Sequence, residues 1–145
     1  MIDDELKHLN CMVSNGTAIE IDDALLPLLG RSDPRIIAPI LRLLNETGDQ
    51  AGMWSIVHSA ESFTGPEYVS GFLHALPELS QTCIWWTEVL LMRILNSDEC
   101  RTELMEQLHD APAMTKEGVT AICQKVSDDA RFRDRTAAVL AITNA

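Results

Sequence analysis

Apolar residues recur at helical spacing along nearly the whole chain. Leu6, Leu9, Met12 and Val13 share one face of residues ~3–13, and Ile21, Leu25, Leu28 and Leu29 share one face of ~20–29, where Gly30 is a C-terminal stop. Asp33-Pro34 supplies a capping residue followed by proline at the first helical position. It predicts a helix running to Asn45 that Pro39 kinks or splits. Met53, Trp54 and Val57 mark a helix over ~50–61, and Thr64-Gly-Pro-Glu67 has the spacing of a capping box that opens the next one. The stretch "CIWWTEVLLMRILN" (Cys83–Asn96) follows, then a helix capped by Ser97 over ~98–109, and two more over ~115–127 and ~129–143. No window alternates for four residues with β-branched enrichment. The pattern predicts an all-α fold of about eight to nine helices in a single domain, 1–145.

A shift of 51 residues lays Ala24, Leu25 and Leu28 on Ala75, Leu76 and Leu79. The same shift brings Arg42, Leu44 and Asn45 onto Arg93, Leu95 and Asn96. A helix pair met twice suggests a right-handed stack of antiparallel helical hairpins of the HEAT or armadillo kind.

The Trp85–Trp86 segment has apolar residues on every side of its helix, as expected of a spine surrounded by other helices. Adjacent indoles project about 100° apart, a poor start for an aromatic box around a cation, so core packing is the favoured reading for both. Glu88 and Arg93 are the odd residues there. Each calls for a partner from a neighbouring helix or for an exposed edge.

Charge narrows the function classes. Twenty-two acids against eleven bases give a net charge of −11, a field that repels nucleic-acid phosphates and attracts basic surfaces. Acidity of this order also serves plain solubility. Cys11, Cys83, Cys100 and Cys123 are widely spaced, with no CxxC and no histidine at ligand spacing, so no metal site is expected. The opening "MIDDELKHLN" has no apolar core of a signal peptide, and Thr87, Glu88 and Arg93 interrupt the longest apolar run. These features predict a cytoplasmic protein without a membrane segment.

No catalytic motif emerges. His8, His58, His74 and His109 are dispersed, and there is neither a phosphate-binding glycine loop nor a nucleophile elbow, so neither catalytic residues nor a cofactor are assigned. The acids do form a pattern. Glu99, Glu103, Glu106 and Asp110, spaced 4, 3 and 4, fall in one narrow helical stripe opposite Leu104, Met105 and Leu108. Such a stripe suits a basic partner, or is simply a solvated face. Glu20, Asp22 and Asp23 sit in the first turn of their helix, where dipole stabilisation and capping explain them adequately. Asp22 and Asp23 would extend the acidic surface.

The segments "DDALLPLL" (Asp22–Leu29) and "WWTEVLLMRILN" (Trp85–Asn96) resemble bacterial polymorphic-toxin immunity proteins, in particular the all-α immunity protein 30 family, over roughly Asp22 to Leu108. The resemblance implies a small antidote that binds a cognate toxin domain, as in contact-dependent growth inhibition. Many such toxins are nucleases with basic clefts, which an acidic antidote would occlude. It transfers no active-site residues. The partner-binding candidates are Glu99, Glu103, Glu106, Asp110, Asp22 and Asp23. Two alternatives stand: a generic helical-repeat scaffold without a toxin partner, and a helical enzyme or ligand binder around His58, His74 and the tryptophans.

Overall fold

Side-chain caps set four of the nine helix starts. In the computed structural model, which describes residues 1–145, α1 is Ile2–Asn15, α2 Ala18–Gly30, α3 Ile37–Leu41, α4 Gln50–Glu61 and α5 Gly65–Thr82. The chain continues through α6 (Ile84–Asn96), α7 (Asp98–His109), α8 (Ala113–Val126) and α9 (Arg133–Thr143). Thr17 and Thr64 each make a full capping box, with Glu20 and Glu67 reaching back to the cap backbone. The Asp49 side chain accepts from Gly52 N to open α4, and Ser97 accepts from Cys100 N to open α7. The predicted all-α fold and number of helices are borne out.

The segment from Pro34 to Asn45 departs from expectation. Asp33 does cap it, but the chain makes a 3-10 turn over Pro34–Ile36 and then only the five-residue α3. Pro39 therefore lies in the first turn of a short helix, where its missing N–H disturbs little, and it kinks nothing. Beyond Leu41, the backbone N–H groups of Leu43 and Leu44 bond three residues back to Ile40 and Leu41, closing the helix as a tight turn.

Helices two apart in sequence pack side by side: α2 with α4, α3 with α5, α5 with α7, α6 with α8, and α7 with α9. Consecutive helices pack across, as α1 does on α2, α5 on α6 and α8 on α9. The chain thus builds two layers, even-numbered helices against odd-numbered ones. Its 35 buried apolar residues form one continuous cluster between them, from Leu9 of α1 to Val139 of α9. No helix is long and apolar enough to cross a membrane.

The 51-residue echo is not an echo of packing. It lays α2 on α5 and α3 on α6; α5 packs along α6, whereas α2 turns away from α3 to pack on α1 and α4. A different pair of segments is equivalent. Asp33 accepts from Arg35 N and ion-pairs with its guanidinium, ahead of buried Ile36 and α3. Asp129 does the same with Arg131, ahead of buried Phe132 and α9. Both segments lead from an even helix into an odd one.

Candidate partner-binding surface

No three of the His, Cys, Asp and Glu side chains stand together so as to hold a metal ion. His58 of α4 tilts against Trp54 at 5.9 Å, while the His74 ring of α5 sits 2.8 Å from Ser70 O in a groove beside Arg42. The two histidines face different surfaces. All four cysteines are free thiols. Burial pushes the Cys123 thiol up to about 12, and burial, with the charge of Glu46 beside it, also raises Cys83.

The acidic stripe lies on the odd layer. Glu99 and Glu106 are exposed on α7, and Glu103 is half-buried and accepts from Gln107 Nε2 at 3.3 Å. Gln107 also donates to Pro66 O, and Glu99 lies against Gly65, so the stripe borders the start of α5. Asp110 stands just past the end of α7, as its C-cap. Arg101, the only arginine or lysine on this helix, does not relieve the stripe. It pairs with Asp98 at 2.7 Å and donates to Leu95 O.

Asp22 and Asp23 lie elsewhere, on the even layer. The first turn of α2 is served by Glu20 alone, so neither aspartate has a capping role. Ile21, Ala24, Leu25 and Leu28 turn inward, and the opposite face carries Ile19, Asp22, Asp23 and Leu26 at i, i+3, i+4 and i+7. Ile19 is 72 % exposed and Leu26 64 %. Two large apolar side chains thus bracket two carboxylates on one free helix face. Helix α2 packs on α1 and α4, and α7 on α5, α6 and α9; the fold keeps the two acidic groups apart. None of the six predicted residues has a cation within 4.0 Å. Sequence reasoning passed over Ile19 and Leu26. Their signal was legible, since both fall at helical spacing with the acids and out of register with the core face.

The tryptophan helix is less enclosed than expected. Trp86 is 2 % exposed, donates Nε1–H to Asn45 O at 3.0 Å and meets Trp54 edge-to-face at 5.1 Å. Trp85 is 43 % exposed and Ile84 38 %, and Glu88, Val89 and Met92 continue a half-exposed strip along α6. The reason is that α6 has helices on three sides only, α5, α7 and α8, with α4 touching it through Trp54 and Glu61. Arg93 finds the partner its position called for. Its Nε and Nη2 donate to Glu61 at 2.6 and 2.8 Å, and its guanidinium lies 5.4 Å from the Trp54 ring centre. Glu88 has no cationic partner and takes the exposed edge instead.

Charge is distributed unevenly along the chain. Residues 113–145 carry one more base than acids, so the whole negative excess belongs to the first 112. No curated protein and no solved structure matches this chain. The family model described as Immunity protein 30 matches residues 8–104, a span that holds α2, the aromatic helices and, of the α7 stripe, Glu99 and Glu103. The chain belongs to the immunity protein 30 family, the immunity proteins of polymorphic toxin systems.

Proposed function

We propose that this protein binds a cognate antibacterial toxin domain in the cytoplasm and neutralises it by stoichiometric occlusion of its active or substrate-binding surface. Family membership supplies the toxin partner. The observation that carries the mode of binding is the outer face of α2, where Ile19 and Leu26 bracket unpaired Asp22 and Asp23. Apolar side chains left in water beside charges that lack partners are what a desolvating, charge-complementary interface uses. The α7 stripe, Glu99, Glu103, Glu106 and Asp110, has no exposed large apolar residue on its face. It suits long-range steering of a basic partner better than close contact.

The partner is then a basic domain, for which a nuclease delivered by contact-dependent growth inhibition is the fitting class. Such a cleft already attracts polyanions, and an acidic protein competes for it. The next-but-one packing of helices supports a HEAT-like stack over 1–145 that acts as one unit. Co-expression with the reading frame directly upstream tests the reading. A one-to-one complex that survives purification is expected. Separate elution of the two proteins would favour a helical scaffold without a toxin partner.

A further inference from the structure

The turn after α3 and the first turn of α6 enclose a cleft of about 340 Å3. Trp85 walls it, Trp86 floors it, Gln50 and Met53 of α4 close one side, and Glu46 stands at its rim. The two indoles meet edge-to-face at 4.8 Å and 85°, so adjacent residues on one helix do share a cleft. The rim is rigid. Asn45 Oδ1 accepts from Thr47 N and Oγ1, its amide donates to Leu43 O, and its carbonyl takes the Trp86 N–H. Trp85 is left free to meet a partner, and Glu46 is exposed with no cation near it.

The chain already contains one filled site of this composition. Arg93 lies over Trp54 and is bidentate to Glu61, an indole, a guanidinium and a carboxylate together. In the Trp85–Glu46 cleft the indole and the carboxylate are present and the cation is not. The geometry points to this cleft as the pocket that takes an arginine or lysine side chain of a basic partner. An anion would meet Glu46, and a neutral apolar side chain would desolvate that carboxylate without pairing it. A guanidinium stacks on the indole and donates to the carboxylate together. The inference rests on the proposed toxin-binding reading for the partner's identity.

Two measurements on the full chain separate the inference from that reading. Calorimetric titration with the toxin domain encoded upstream should show at least tenfold weaker binding for Trp85→Ala, a smaller loss for Trp85→Phe, and a several-fold loss for Glu46→Gln. Wild-type binding with Trp85→Ala and Glu46→Gln both within twofold overturns the cleft and leaves the toxin reading standing. Hexa-arginine amide titrated onto the protein alone, read at the three indole N–H resonances, should move Trp85 most, and Glu46→Gln should abolish the preference. A Trp85 resonance that does not move overturns the cleft whatever the toxin does. A selective Trp85 shift without toxin binding upholds the cleft and overturns the toxin reading.

Discussion

Three helical glycines, replaced one at a time by alanine, test how tightly the two layers are packed. In an exposed helix interior this exchange gains about 1 kcal/mol from backbone entropy. Inserting a methyl into a filled space costs roughly 1–3 kcal/mol. The environment therefore decides the sign. At Gly71, in the middle of α5, an added Cβ would overlap Ile37 Cγ2 and stand 2.7 Å from Ile37 Cβ. A β-branched Cβ next to its own backbone cannot move aside. Gly71→Ala should lose about 1–2 kcal/mol net, because α3 must lift off α5. At Gly52 the contact is with Ile21 Cδ1, the far end of a side chain with freedom to rotate, and the two effects should cancel to within about 0.5 kcal/mol. At Gly118 the nearest atom is Leu76 Cδ2 at 3.3 Å, so Gly118→Ala should gain about 0.5 kcal/mol. Urea unfolding at constant m reads all three, with midpoints in the order Gly118→Ala, wild type with Gly52→Ala, then Gly71→Ala. Melting temperature should follow at about 3 °C per kcal/mol. A Gly71→Ala variant as stable as wild type would refute the close α3–α5 crossing.

The tryptophans should part company in stability: Trp86→Ala loses about 3–5 kcal/mol, and Trp85→Ala less than about 1 kcal/mol, both measured by urea midpoint. Equal losses would contradict the outward position of Trp85. Side-chain and backbone hydrogen bonds from Arg131 hold the Asp129 carboxyl down at about 2. A depressed carboxylate stabilises the fold above its unfolded value near 4 and ceases to do so as pH falls through about 2. The stability difference between wild type and Asp129→Asn should therefore be constant above pH 5 and shrink between pH 4 and pH 2. A difference that persists unchanged to pH 2 would contradict the Asp129–Arg131 pair. Reversing Glu99, Glu103, Glu106 and Asp110 to lysine should slow toxin association at low salt by tenfold or more and flatten its salt dependence, read by stopped-flow fluorescence.

Much of the architecture is visible in local residue patterns. The Thr64–Glu67 box, the Ser97 cap and the Asp33-Pro34 start all act within one helical turn, and each stands where its spacing puts it. Tertiary facts were harder to read. Apolar residues around the whole Cys83–Asn96 helix suggested full burial, yet how many neighbours a helix has is set by the layer, and α6 leaves Trp85, Val89 and Met92 half in water. The Arg93–Glu61 pair joins residues 32 apart on different helices, a link that no local pattern encodes. The Leu-rich 51-residue echo misled because core helices share composition without sharing a place in the stack. The short Asp33-Arg35 and Asp129-Arg131 turns, with less apparent similarity, occupy equivalent places. In the candidate surface, the acids were legible as charge. Ile19 and Leu26, which give Asp22 and Asp23 their context, were legible too, since both stand out of register with the Ile21, Leu25 and Leu28 face.

Titration of the toxin domain's activity with purified protein tests the occlusion mechanism most directly. Activity on the toxin's own substrate should fall linearly and reach its floor at one equivalent. The Ile19→Ala/Leu26→Ala variant should need a large excess to achieve the same. A stable complex that leaves activity intact at several equivalents would contradict occlusion.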